Sequence, residues 1–414
     1  MILAAGFLIG ALGWGFYYSF GVFFEALQNT FQANRADISL ISSIIVFTIY
    51  MAGTLYGWAI DRYGPRIPVG IGAVFLCLGL LLSSRATAVW QLYISLGLMV
   101  GFGVSCVVVP FLSVLTRWFL KMRGLVVGIL SAGAGAGMMV MSPLSQNLLT
   151  SYGWRTSFVI LGIASLVIFG VAAFVIRGHP EDKGLMPYGT EKSGGEEVAD
   201  HKRTAPASAV SSNRDVSFRA AIRGKDLWLV MGIRAVIALT IYTVSTHLVN
   251  YAKDGGMSPT NAALLMTIIG GVSIFGKIGA GHLADRIGSK RIVITCAATM
   301  VVLMLWLSVH ISGWMLPLFA VIYGLAYGGS FSTINTIVAE VFGVTEIARI
   351  LGFVNVGTAV GSLVGPWLAG YLFDTTGGYS LAFQVAAVAS MAAVIFTILL
   401  GKQGKKSIAV ETQQ

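Results

Sequence analysis

Long apolar stretches separated by short polar gaps dominate this chain, and charge is nearly confined to the gaps. Twelve apolar runs are each long enough to cross a bilayer as a helix: roughly 1–28, 38–60, 66–84, 88–116, 124–150, 155–176, 226–251, 259–284, 291–309, 313–340, 347–373 and 379–401. Backbone amides find no water inside hydrocarbon, so runs of this length predict helices that satisfy their own hydrogen bonds. The expectation is an all-α membrane protein of twelve transmembrane helices. The first run starts at Met1 without a basic leader and reads as a retained helix rather than a cleaved signal. One long polar break, 177–225, is rich in Gly, Ser, Glu, Lys and Asp and reads as a solvated cytoplasmic linker. Its end, Ser217 to Arg223, has the pattern of a short helix lying on the membrane surface. The predicted organisation is a six-helix bundle over 1–176, the linker 177–225, a second bundle over 226–401 and a cytoplasmic tail over 402–414.

The two bundles repeat one another. Gly57, Asp61, Arg62 and Gly64 recur 224 residues later as Gly281, Asp285, Arg286 and Gly288. The same offset maps Gly128, Gly133 and Gly137 onto Gly352, Gly357 and Gly361. A shared offset at separate places marks an internal duplication. Two embedded halves related in this way predict two pseudo-symmetric bundles facing each other, as in secondary transporters. The repeated Gly-x-x-x-Asp-Arg-x-Gly falls at a helix exit. Its Asp61, Arg62, Asp285 and Arg286 can make charge-assisted bonds to neighbouring helix ends and so latch one conformation. The competing reading is a plain topogenic loop. The glycine clusters, Gly133 to Gly137 among them, allow helices to approach closely.

Composition sharpens the class. The chain is 56% hydrophobic and 11% charged, with a mean hydropathy of +0.82, far from the roughly one-quarter charged residues of soluble domains. Its net charge of +10 is a matter of topology. Lys and Arg crowd the loops on one side, including Arg62, Arg66, Arg117, Lys121, Arg123, Lys290, Arg291, Arg349 and the 177–225 stretch, against Arg35, Arg85, Arg155 and Lys253 on the other. The positive-inside rule then places both termini in the cytoplasm, in a plasma or inner membrane, and the basic balance is no argument for nucleic acid. Cys77, Cys106 and Cys296 lie within apolar runs at spacings that suit neither a metal site nor a disulfide framework. No metal or cofactor is expected. No Ser/His/Asp set or intramembrane His/Glu cluster has catalytic spacing, so an enzyme is not expected. A receptor or sensor, the remote alternative, would need a signalling domain that the short loops do not offer.

One residue stands out chemically. Lys277 lies eight residues before Asp285, about 12 Å inside its helix at the usual rise. A lysine at that depth costs roughly 2.5–3.5 kcal/mol on insertion scales. Gly270, Ser273, Lys277 and Gly281 share one helix face, which aims the amine at other helices or a cavity rather than lipid. A buried cation on a cavity is a natural carboxylate site, and a structural ion pair is the alternative. His247, on a polar face with Thr243, Thr246 and Asn250, is a candidate proton carrier, or equally a neutral ring holding an interhelical bond. Glu25, Glu340 and Arg234 lie near run ends, where rim or gating roles are expected.

The doubled motif, twelve spans and long central loop resemble the major facilitator superfamily over essentially the whole chain. Tyr18-Ser19-Phe20-Gly21-Val22-Phe23-Phe24, His247 to Ala252, the segment from Gly271 through Ser273 to Lys277, and Gly365-Pro366 through Asp374 look like the monocarboxylate porter and oxalate/formate antiporter families. The resemblance implies a carrier of small carboxylates such as lactate or pyruvate with a proton, or an exchanger of organic anions without one. It also implies a cavity lined by the first, fourth, seventh and tenth spans, where Tyr18, Phe111, Tyr323, Tyr327 and Asn335 become candidates for cargo contact. Members of these families usually carry Arg where Lys277 stands, gripping the cargo carboxylate; Lys keeps the charge and loses the bidentate fork. Ser273 and Tyr18 stand where the animal carriers place an Asp and a Lys, so their proton route does not transfer intact. The antiporters place a second cation in the eleventh span, where this chain offers Asn355 and Thr358. One cavity cation then matches one carboxylate, which disfavours dicarboxylate exchange. The expectation is alternating access by a monomer in the bilayer. Lys277, Tyr18, Phe111, Tyr327 and Asn335 bind a small organic anion, and His247 or Lys277 takes the proton.

Overall fold

The computed structural model describes residues 2–106, 123–176, 216–309, 313–343 and 346–401, and among them it is helical without strands. Eleven helices are long and apolar enough to cross a membrane. One of them is double. The 53-residue helix Arg123–Val175 turns sharply at Gly153, whose φ of 72° and ψ of 166° favour a residue without Cβ. It supplies the fifth and sixth spans, which gives the twelve expected.

The first span runs as Ile2–Tyr18 and Phe20–Phe31. Between them, Ser19 donates its hydroxyl back to the Gly15 and Phe16 carbonyls at 3.0 Å each, competition that bends helices. The second and third spans are Arg35–Tyr63 and Arg66–Ser84. The fourth begins as Val89–Leu92 and loosens into π-helical Tyr93–Val100. The seventh to twelfth are Lys225–Asp254, Pro259–Ile287, Ser289–Ser308, Met315–Phe342, Ile347–Thr376 and Ser380–Leu399. Local signals set the ends. Ser258 accepts from the Asn261 amide at 3.3 Å, with Pro259 at the first helical position of the eighth span. Gly377 closes the eleventh in a left-handed conformation. The predicted surface helix forms at Phe218–Arg223, capped by Ser217.

The duplication is visible in the packing. Gly133 and Gly137 of the fifth span lie against the backbone of Phe7 and Ala11 in the first. Gly357 and Gly361 of the eleventh lie against Met231 and Ala235 in the seventh. Each of these four residues and its counterpart differ by the same 224 positions, so the repeat conserves contacts as well as residues. Small residues let the helix backbones touch and gain dispersion contacts that lipid cannot supply.

The halves meet along two seams. The eighth span packs on the fifth through Gly270 and Gly135, whose carbonyls face one another's Cα positions. The eleventh packs on the second, where Gly370 sits against Ser39 and the Arg35 backbone. A row of hydroxyls also crosses between halves. Ser42 pairs with Thr246 at 2.7 Å, Tyr50 with Tyr242 at 2.9 Å and Tyr18 with Tyr327 at 2.6 Å. Each such bond is worth about 1 kcal/mol net. An interface of several weak, exchangeable bonds can part and re-form without a large barrier.

Candidate functional site

Lys277 occupies the predicted face of the eighth span. Its neighbours Phe275 and Ile278 are 71% and 65% exposed, toward lipid, while Lys277 is 8% exposed. Its ammonium donates to the Ser131 carbonyl of the fifth span at 2.7 Å. The rings of Tyr327 and Phe331 stand 5.7 and 5.6 Å from the nitrogen, within cation–π range. Among the described residues no acidic side chain pairs with it. An ammonium has three donors and one is filled, so this buried charge is only partly satisfied.

A second buried cation shares the Tyr327 and Phe331 surroundings, and the sequence reading had put it at the rim. Arg234 lies nine residues after Lys225, where the seventh helix starts, about 14 Å along it. It is 9% exposed. Its Nη1 donates to Asn355 Oδ1 at 2.8 Å, and its Nη2 donates to Asn335 Oδ1. Its Nε–H is buried without a partner among the described residues. The expectation of a single buried central cation is therefore corrected to two, of which Arg234 lines the cavity. The eleventh span contributes no cation here, but its Asn355 orients one from the seventh.

Arg234, Tyr50, Tyr242, Tyr327, Phe331 and Thr358 line a small central cavity of about 30 Å³. That is room for a water or two. The halves must separate to admit an organic anion. Of the other sequence candidates, Tyr18 and Tyr327 are brought together across the halves, and Asn335 is committed to Arg234. Tyr323 is buried at 2% exposure, with no partner for its hydroxyl among the described residues. Phe111 and the Asp61 side chain lie outside the described residues.

His247 is not at this cavity's wall. It is fully buried nearer the Asp254 end of the seventh span. Its Nδ1 is 3.0 Å from the Tyr379 hydroxyl and its Nε2 2.9 Å from the Pro366 carbonyl. The carbonyl can only accept, so Nε2 carries the proton and Nδ1 accepts from Tyr379.

Tyr379 connects this histidine to a clasp between the halves that sequence reasoning missed. Arg35 forms a bidentate pair with Asp254 at 2.7 and 3.0 Å and donates to the Tyr379 hydroxyl at 2.7 Å. Its guanidinium lies 3.8 Å from the Phe373 ring centroid. Asp374 of the eleventh span accepts from the backbone amides of Arg35 and Ala36 at 3.0 and 2.8 Å. It caps the second helix from the other half, where the helix dipole favours an anion. Lys253 pairs with Glu25 at 2.9 Å beside it. In the sequence Arg35 and Lys253 read only as topology signals, Glu25 as a rim charge and Asp374 as part of a family motif. At the opposite end of the spans Asp285 and Arg286 are exposed, Ser289 donates to Glu340 at 2.7 Å, and Arg62 stands 5.7 Å from the Tyr63 ring.

Comparison with known proteins supplies the family. The Major Facilitator Superfamily model matches residues 3–278 and 230–413. Monocarboxylate transporter 4 of Gallus gallus is 28% identical over 396 residues, covering 94% of this chain and 79% of the relative. Monocarboxylate transporter 13 of Rattus norvegicus is 29% identical over 395 residues, covering 93% and 85%. Monocarboxylate transporter 2 of Homo sapiens is 24% identical over 420 residues, covering 100% and 87%. Among solved structures, a bacterial homologue of the human lysosomal transporter Spinster, inward-facing and occupied, superposes with a TM-score of 0.73 at 15% identity, covering 97% of both chains. With two duplicated six-helix halves around a central cavity and a family match across nearly its whole length, this chain is a multi-pass membrane transporter of the major facilitator superfamily, similar throughout to the monocarboxylate transporters and not an enzyme.

Proposed function

We propose that this protein moves a small monocarboxylate, of the lactate or pyruvate kind, together with a proton by alternating access. One observation carries the reading: Lys277 is a buried ammonium with a single carbonyl bond and, among the described residues, no acid. Closing an empty cavity over that charge desolvates it without compensation, which is costly. A bound carboxylate removes the cost and permits the halves to rock. The names of the relatives favour a monocarboxylate. Tyr18 and Tyr327 form the wall that must part, since their shared bond joins the halves. Phe111 is proposed to complete that wall, and Asp61, Arg62, Asp285 and Arg286 to latch the end opposite the clasp. Charge asymmetry of the loops supports an orientation with Arg35 outside and both termini cytoplasmic, in the plasma or inner membrane. The working unit is the monomer.

In proteoliposomes, Lys277→Gln is expected to abolish lactate or pyruvate uptake driven by an imposed pH gradient, with the protein still monodisperse. Wild-type uptake by this variant would refute the role. The proton is assigned to the Lys277 cavity, because both ring nitrogens of His247 are engaged in the clasp. His247→Gln is therefore expected to keep pH-driven uptake at about a third of wild type or more, within the cost of one lost buried hydrogen bond. If instead uptake by His247→Gln ceases to respond to the gradient, the proton belongs to the histidine. Counterflow that proceeds equally with and without a pH gradient would favour organic-anion exchange.

A further inference from the structure

Two buried cations, not one, stand beside Tyr327 and Phe331, and they differ in what they offer an anion. Tyr327 and Phe331 belong both to the surroundings of the Lys277 nitrogen and to the wall that Arg234 shares. Arg234 has no acidic partner among the described residues. Its two terminal nitrogens are held by neutral amide oxygens, one from the tenth span and one from the eleventh. Amides fix the plane of a guanidinium without cancelling its charge. Of its five N–H donors, two are filled, and Nε–H is buried without a partner among the described residues. A purely structural arginine would be expected to have its charge met by a carboxylate, because breaking or omitting that partner leaves a buried charge uncompensated.

The duplication separates scaffold from site. Gly133, Gly137 and the Asp-Arg pairs have counterparts 224 residues away, whereas the positions equivalent to Arg234 and Lys277 are Gly10 and Gly53. Neither half needs these two cations to fold as its twin does. Both lie in the second half, on adjacent spans.

We propose that one cargo carboxylate is held between Lys277 and Arg234, with Arg234 supplying the planar, two-pronged contact. Lys277 contributes a point charge from the eighth span; Arg234 contributes direction from the seventh. Asn335 and Asn355 are positioning residues that hold the guanidinium in plane. The pair therefore offers one carboxylate both charge and direction, because a guanidinium can meet two oxygens at once whereas an ammonium acts as a point charge. This inference rests on the monocarboxylate reading and names how that carboxylate is recognised.

The test uses the full-length protein in proteoliposomes, with lactate and pyruvate as probes. Competition against labelled lactate counterflow gives an affinity for each. Arg234→Gln is expected to weaken carboxylate binding 100-fold or more. Arg234→Lys keeps the charge and loses the edge; it is expected to weaken both carboxylates at least tenfold. Asn335→Asp, nearly isosteric, places a carboxylate on Arg234 and is expected to abolish counterflow without unfolding, which covers the case in which Arg234→Gln fails to fold. Wild-type affinity in Arg234→Gln, Arg234→Lys or Asn335→Asp overturns the proposal. If wild-type protein exchanges none of the carboxylates, the monocarboxylate reading fails and this inference falls with it. Loss in Lys277→Gln with wild-type behaviour in all three other variants keeps that reading and removes Arg234 from the site.

Discussion

Gly361→Val is expected to yield no monodisperse protein, and Gly137→Val the same. A side chain at either position would collide with a backbone carbonyl of the facing helix, that of Ala235 or Ala11. A clash with a flexible side-chain tip can be relieved by a rotamer change; a clash with helix backbone moves the whole helix. The seams between the first and fifth spans and between the seventh and eleventh would open along their length, losing the close contacts that hold helices together in lipid. The cost is expected to exceed about 4 kcal/mol, in the rare upper tail of single substitutions and comparable with a domain's whole margin of stability. Gly352→Ala is the control. Nothing lies within 4 Å of a Cβ there, and alanine is the better helix former. Size-exclusion profiles of detergent-purified protein decide the matter. A wild-type profile for Gly361→Val would mean that the seam is looser than its geometry implies.

Arg35→Ala is expected to open the clasp and shift the transporter toward the opposite-facing state. The substitution removes a bidentate ion pair, a bond to Tyr379 and stacking on Phe373. An isolated exposed pair would be worth little. This one is bidentate, shielded by two rings and tied to the capping of the second helix by Asp374, so about 2 kcal/mol is a fair expectation for a charge-assisted contact. That corresponds to roughly a 30-fold change in the ratio of closed to open forms. The readout is the labelling of Ser42→Cys, introduced where Ser42 meets Thr246 between the halves, by a membrane-impermeant maleimide after Cys77, Cys106 and Cys296 are replaced. Labelling should accelerate at least tenfold in the Arg35→Ala background. Asp374→Asn, which weakens the cap and keeps the guanidinium, should give a smaller acceleration. Unchanged labelling in Arg35→Ala would mean that the clasp does not hold the gate.

The clasp and the cavity divide the work of alternating access between two kinds of interaction. Hydroxyl pairs and glycine contacts along the seams are weak and repeat at many points, which lets the halves slide. The charge-assisted bonds sit at one end, where breaking them costs enough to make the closed form a distinct state. In the cycle proposed above, a bound carboxylate would act at the centre, between two cations whose burial is expensive while they lack an acid. The free energy released there is available to offset the parting of the clasp when the cycle turns.

The sequence alone determined the membrane class, the twelve helices and the duplication, because each depends on local pattern. Hydropathy reports what a run of residues can dissolve in, and the 224-residue offset needs no knowledge of contacts. It also exposed Lys277, since a cation deep in an apolar run has few reasons to be there. Arg234 was harder to place, because nine residues from a helix start is equally consistent with a side chain reaching the rim or pointing inward. What decided it were Asn335 and Asn355, brought in from 101 and 121 residues away. Arg35 is the same case: a topology signal in the sequence, a clasp once Asp254 and Asp374 arrive from 219 and 339 residues away. Such pairings depend on which spans are neighbours and how each is rotated about its axis. In lipid that rotation is set by close packing of small residues and by the need to pair buried charge, and both exist only when the helices are assembled.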